Sequence, residues 1–256
     1  MEVTKKNNSF LTLCFAAFLC FSITGCATTN QQMAGEVYDP LEDMNRAVFS
    51  VNEAVDKAVI EPVARGYRAI TPKFVREGVT NFLRNLKSPI NFANQVLQGD
   101  ARGAAGDFTR FAMNTTIGVG GLFDVAAATG LEYQPEDFGQ TLGVWGVGQG
   151  PYLVLPLMGP SSFRDAAGLL VDTYADPVRI YLYNTDNEKW YYARVAATGI
   201  STRESLLDVV DDLRKNSFDY YAAVRSAYMQ KREALVKDEN PDEVSAPAIP
   251  DYDEDE

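Results

Sequence analysis

Between Gly139 and Phe163 the chain runs for 25 residues, GQTLGVWGVGQGPYLVLPLMGPSSF, without one charged side chain. That length and polarity would suit a helix crossing a hydrocarbon core of about 30 Å. Glycine and proline argue against it. The six glycines at 139, 143, 146, 148, 150 and 159 cost about 1 kcal/mol each in a helix interior, and the prolines at 151, 156 and 160 about 3 each. The stretch is therefore expected as two extended pieces, Leu142 to Val147 and Tyr152 to Leu157, folded back on each other through Gly148-Gln149-Gly150-Pro151. Irregular backbone survives at membrane depth only when packed in protein or set against a wet cavity. Two placements meet that condition: a hairpin buried in an ordinary soluble core, and the wall of a pocket or channel. On the second, the candidate lining residues are Leu142, Val144, Trp145, Val147, Tyr152, Val154, Leu155, Leu157 and Met158.

The N-terminus bears on that choice. Lys5 and Lys6 precede an apolar run from Phe10 to Ile23, which is the layout of a secretory signal over residues 1–25. Its end, Ile23-Thr24-Gly25-Cys26, resembles the lipobox of bacterial lipoproteins, and that resemblance implies acylation of Cys26 as the first mature residue. Ala27 follows, and in lipoproteins of diderm bacteria the lack of Asp there favours the outer membrane. No cysteine occurs after Cys26, so the mature chain has no disulfide.

Formal net charge is −12, and much of it sits at one end. Residues 238–256 hold nine acids and no base, read as a solvated, disordered tail. No basic face is evident, which argues against a nucleic-acid partner. Residues 26–38 read as a linker, leaving residues 39–237 as one domain.

The body of the chain is patterned for helices. Asp39-Pro40 opens one, with Leu41, Met44, Val48, Val51, Val55 and Val59 at helical spacing and Pro62 as its expected end. Thr71-Pro72 and Ser88-Pro89 give two further starts, with Gly99 as a stop. Gly103, Ala104, Ala105 and Gly106 mark the next helix as one that another backbone approaches closely. Neither Gly118-Val119-Gly120-Gly121 nor Gly146-Val147-Gly148-Gln149-Gly150 has the spacing of a phosphate loop. Asp176-Pro177 begins an aromatic segment with Tyr181, Tyr183, Trp190, Tyr191 and Tyr192, suited to a headgroup zone or to a protein interface. Helices at about 202–214 and 217–236 close the domain, with Asp208, Asp211, Asp212, Arg225, Lys231 and Arg232 expected on a solvated face.

Four stretches carry a family resemblance: DPLEDMNRAVFSVNEAVD, NFLRNLKSPINFANQVLQGD, FTRFAMNTTIGVGGLFDVA and EDFGQTLGVWGVGQGPYLVLPLMGPSSFRDAAG. They resemble the MlaA/VacJ family of outer-membrane lipoproteins, from the lipobox to about Tyr228. The resemblance implies a mainly α fold, a ring of short amphipathic helices around a channel with one irregular or hairpin segment near 142–157. It also implies a position in the inner leaflet of the outer membrane. The implied function is retrograde phospholipid transport that maintains lipid asymmetry. Implied partners are phospholipid, a trimeric porin and an MlaC-like periplasmic phospholipid carrier.

Three function classes compete. A lipid hydrolase built on Ser-His, Cys-His or imidazole-bound metal is excluded by count, because the chain has no His and no thiol after Cys26. A Ser-Lys dyad or carboxylate pair stays open, although no Gly-x-Ser-x-Gly elbow is present. A lipid conduit needs no catalytic residue, cofactor or metal, only an apolar path with a polar accompaniment. A structural or adaptor lipoprotein needs no cavity.

Overall fold

A computed structural model of the chain describes residues 39–239. The signal segment, Cys26, the linker and residues 240–256 of the acidic tail lie outside the described residues.

Helix α1 (Glu42–Val55) does not end at Pro62 as expected. A single π-helical turn, Asp56–Ile60, joins it to α2 (Glu61–Ile70). A proline lacks the donor for the carbonyl four residues back and crowds it, and the wider turn, in which the Glu61 amide bonds the Asp56 carbonyl, carries the chain past that position. Pro62 then sits in the first turn of α2, where its missing amide costs nothing. Helix α3 (Lys73–Gln98) likewise runs through Pro89, merging the two helices expected there into one. Ser88 donates its hydroxyl to the Arg84 carbonyl in the preceding turn. Gly99, at φ 83°, turns the chain into α4 (Ala101–Thr116), capped by the Asp100 carboxylate. The two helices lie so close that a Cβ on Gly103 would meet the Gln95 side chain at 2.4 Å.

Helix α5 (Phe138–Val144), capped by Asp137, occupies part of the uncharged stretch. The hairpin follows it: β1 (Tyr152–Leu155) pairs antiparallel with β2 (Gly159–Ser162), Tyr152 opposite Ser162 and Leu155 opposite Gly159. The extended piece expected from Leu142 to Val147 is thus helical at its start, and the hairpin partner of β1 lies after it in sequence. Ser162 caps α6 (Phe163–Ala175) and Asp176 caps α7 (Pro177–Asn184). Helices α8 (Glu188–Ser205), α9 (Leu207–Asn216) and α10 (Tyr220–Val236) complete a mainly α fold with one small hairpin.

Polarity is distributed against the usual rule for water-soluble proteins. Asn45, Asn91, Gln95, Gln140, Thr141 and Ser162 are fully buried, while Ile70, Phe74, Phe108, Ile117 and Phe123 lie exposed, Phe74 at 73%. A compact apolar cluster does exist, built from Tyr152, Val154 and Tyr221 with Val48, Phe49, Tyr228 and Met229 around it. Elsewhere, ion pairs hold the helices to one another. Arg68 of α2 bonds Glu204 and Asp208, Arg203 bonds Asp56, and Arg214 bonds both Asp56 and Glu61, at 2.6 to 2.9 Å. The face expected to be solvated therefore splits. Asp208 and Asp211 pair with Arg68 and Arg65, while Arg225 and Arg232 turn inward and are buried against carboxylates.

Candidate functional site

The uncharged stretch is held from below by glycines and from the side by asparagines. At Gly168 of α6 a Cβ would stand 2.2 Å from the Gly139 amide, so α5 and α6 touch backbone to backbone. At Gly143 a Cβ would collide with Val236 and Arg164. These glycines cost helix propensity and return a contact that no larger residue permits. Trp145 closes α5, its indole N–H donating to the Leu97 carbonyl at 3.0 Å and its ring edge-on to Phe138.

Strand β1 has one edge paired with β2 and the other taken up by α1. Asn45 donates to the Tyr152 carbonyl at 3.0 Å and accepts from the Val154 amide at 2.9 Å. Asn52 repeats the pattern one step on, donating to the Leu155 carbonyl and accepting from the Leu157 amide. The two side-chain amides thus stand in for a neighbouring strand, satisfying backbone groups that would otherwise lie unpaired. Asn45 also donates to Asp39, which accepts from Arg225 and from the Tyr221 hydroxyl. Asp39, in the Asp39-Pro40 pair expected to open α1, does not cap it. It serves as this hub instead, and Leu41 occupies the cap position without a side-chain bond.

Beneath α5 lies a second buried polar cluster. Arg232 of α10 forks onto Asp137 at 2.7 and 2.9 Å and onto Asp165 at 2.9 and 3.0 Å. Tyr228 donates to Asp165 at 2.6 Å, and Arg164 donates its Nε–H to the same carboxylate. Burial opposes ionisation of Asp137, but the Arg232 fork overrides it and brings the carboxyl down to about 2. Asp165 is lowered by the same balance, burial against the Arg232 charge and the hydrogen bonds of Arg232 and Tyr228. Glu136, two residues before α5, behaves oppositely. Burial raises it to about 7 despite a hydrogen bond from Gln98.

The candidate lining residues separate into three groups. Tyr152 and Val154, 0% and 2% exposed, point into the apolar cluster beneath β1 and do not face an open cavity. They are corrected from lining to core, since alternation along a strand sends every second side chain toward α1 and α10. Leu142 and Leu155 are half-buried. Val144, Trp145, Val147, Leu157 and Met158 are exposed, the last two at 68% and 70% on the hairpin turn. The asparagine clamp was not anticipated from sequence, yet it had a signal there: Asn45 and Asn52 are seven residues apart, beside Val48 and Val55 on the face read as apolar. The Arg232 cluster had none, because its charges come from three segments far apart in the chain.

Among the described residues no group of three or more His, Cys, Asp or Glu side chains is disposed to hold a metal ion. None of the described helices is long and apolar enough to cross a membrane. A recess of about 230 Å³ opens between Gln149, Arg164, Glu233, Val236 and Lys237, where the end of α10 meets the start of α6.

The sequence profile described as MlaA lipoprotein matches residues 37–235. The intermembrane phospholipid transport system lipoprotein MlaA of Escherichia coli is 37% identical over 217 residues, covering 83% of this chain and 84% of that one. The protein of the same description in Haemophilus influenzae is 32% identical, covering 91% and 92%. An uncharacterised protein of Rickettsia prowazekii is 39% identical, covering 81% and 82%. A solved structure reported as "Structural basis for maintenance of bacterial outer membrane lipid asymmetry" superposes with a TM-score of 0.69 at 38% identity, covering 78% of this chain and all of that one.

Proposed function

The chain belongs to the MlaA lipoprotein family, and on that premise we propose that it removes mislocalised phospholipids from the outer leaflet of the outer membrane and passes them to a periplasmic carrier. The observation that carries this reading is the outward apolar surface of the uncharged stretch, set over a polar interior. A protein surrounded by water loses about 25 cal/mol for each Å² of apolar surface it leaves open, and in lipid that cost disappears. Exposed residues such as Ile70, Phe74, Phe108 and Phe123 then need no cover. Since no described helix suits a crossing, the body is read as embedded in one leaflet, the inner one, with Cys26 as the acylated residue.

In this reading the helices surround a channel, and Val144, Trp145, Val147, Leu157 and Met158 offer its apolar contact while Leu142 and Leu155 back them. Phospholipid transfer breaks no bond, which fits a non-enzyme. A trimeric porin beside the embedded body and an MlaC-like carrier on the periplasmic side complete the partners. The test is outer-leaflet phospholipid in cells lacking the protein, with and without complementation. Accumulation on deletion and clearance on complementation is the expected result; unchanged outer-leaflet composition favours a structural or adaptor lipoprotein. Mass spectrometry of the mature N-terminus should find the lipid on Cys26, and an unmodified start at another residue contradicts the anchor.

A further inference from the structure

We propose that the recess between α10 and α6 is a binding site for a zwitterionic phosphodiester headgroup, with Arg164 holding the phosphate oxygens and Glu233 the amine. The proposal rests on the phospholipid reading above and adds to it a position and a headgroup class. Its volume, about 230 Å³, falls below the roughly 300 to 1,000 Å³ typical of pockets that enclose whole ligands. It is sized for a polar fragment. A second recess among Asn81, Asn85, Arg110 and Asp124, about 10 Å³, has room for a single water.

The wall of the larger recess carries both signs of charge. Arg164 has a side chain only 4% exposed, and its one ion pair runs through Nε to Asp165. That carboxylate is already occupied by Arg232 and Tyr228. Arg164 Nη2 is buried without a hydrogen-bond partner among the described residues. A guanidinium N–H left in that condition is an unmet donor, which an oxyanion recovers once the exposed Glu233–Lys237 rim opens to admit it. At the rim Lys237 and Glu233 pair at 2.7 Å, both more than half exposed, so they are free to re-pair with a ligand. Gln149 adds an amide, and Val236 supplies the apolar contact where a glycerol ester or the start of an acyl chain would lie. Arg164, Arg232 and Lys237 face Asp137, Asp165 and Glu233, with Glu239 also acting on Lys237, so the surroundings carry no excess of positive charge. A ligand carrying both charges keeps that balance, whereas a bare anion upsets it.

The test is calorimetric titration of the purified full-length protein in detergent. The probes are dihexanoyl phosphatidylethanolamine below its micellar concentration, the matching phosphatidylglycerol, inorganic phosphate and dihexanoylglycerol. The proposal expects the zwitterionic lipid to bind at least tenfold more tightly than inorganic phosphate and than the headless dihexanoylglycerol. Arg164→Gln loses the buried pair with Asp165 and should melt lower, but while still folded at the titration temperature it should weaken the zwitterionic lipid about tenfold. Should Arg164→Gln fail to fold, the rim decides: Glu233→Gln should weaken phosphatidylethanolamine several-fold and leave phosphatidylglycerol unchanged or tighter. Equal binding of the headless probe, tighter binding of inorganic phosphate, or a folded Arg164→Gln or Glu233→Gln that binds as wild type overturns the site. The readout is independent of transport. If binding is absent while substitutions on the exposed hairpin still block lipid removal, this site falls and the conduit stands; if binding holds while those substitutions transport normally, the conduit falls and the site stands.

Discussion

Strand β1 and the turn that follows it do different things with the same kind of residue. At Tyr152 and Val154 the side chains are sealed beneath the strand against Tyr221, Tyr228 and Phe49, with ring centroids of Tyr152 about 6 Å from those of Tyr221 and Tyr228. A few residues on, Leu157 and Met158 stand open at the turn. The inner end is bound by Asn45, and the outer end keeps only the backbone hold of Asn52. Uncharged sequence is therefore serving two purposes, packing at one end and an unpaired apolar surface at the other. Substitutions that unfold the protein and substitutions that disable it should separate between this four-residue strand and the turn just beyond it.

The largest effect is expected beneath the inner end. Arg232→Met removes the fork that holds Asp137 and Asp165 and leaves a buried and a half-buried carboxylate without it, which costs about 3 to 5 kcal/mol. Denaturant unfolding checks it, and a loss below 1 kcal/mol would mean that water already serves those carboxylates. Asn45→Ala comes next, at about 3 kcal/mol, because it strips both edge bonds from β1 and leaves a buried amide and carbonyl unpaired. Asn52→Ala, at the half-open end, should cost less than Asn45→Ala, and an equal cost would erase the contrast between the two ends.

Those two asparagines also divide what is local in this sequence from what is set by distant segments. The Asp-Pro start of α7 at Asp176 and the Gly99 stop of α3 were legible because capping is a local matter, settled within a few residues. The small-residue helix α4 was legible for the same reason, its Gly103 packed on Gln95 as its composition suggested. Helix α5 was not. Its glycines counted as breakers, yet Gly139 and Gly143 are the positions at which α6 and α10 come too close for a Cβ, and tertiary contact outweighed propensity. Locally, Pro62 signals a helix end and Ser88-Pro89 a helix start, yet a π turn in one case and a packed helix in the other carry the chain through. At the site, alternation along β1 was legible but the face it would bury was not, since that depended on α1 and α10 arriving from distant sequence.

A smaller effect follows from pH. Glu136, held up at about 7 by burial against an ordinary value of 4.5, binds more proton in the folded state than in the unfolded one. Its contribution is complete below about pH 4.5 and is lost as pH rises through 7. Asp107, raised by burial to about 6, adds to the same slope. Asp137 runs the other way: its folded value near 2 gives stability above pH 3.8 that fades as pH falls toward 2. Melting temperatures between pH 5 and 8 should therefore decline for the wild type and decline less for Glu136→Gln; parallel slopes would remove Glu136 from the account.

The smallest effect on stability belongs to the outer end, and there the functional effect should be greatest. Leu157 holds a φ of 62°, a left-handed conformation that Asp tolerates better than Leu, so Leu157→Asp adds no backbone strain. Its stability, and that of Met158→Asp, should stay within about 0.5 kcal/mol of wild type. The measurement that tests the lipid-contact claim most directly is outer-leaflet phospholipid in cells carrying Val147→Asp, Leu157→Asp or Met158→Asp at matched protein levels. The account predicts that an ionised group on this apolar surface leaves phospholipid in the outer leaflet as deletion does, while the protein folds and stays in the outer membrane. Normal clearance by all three variants would contradict it.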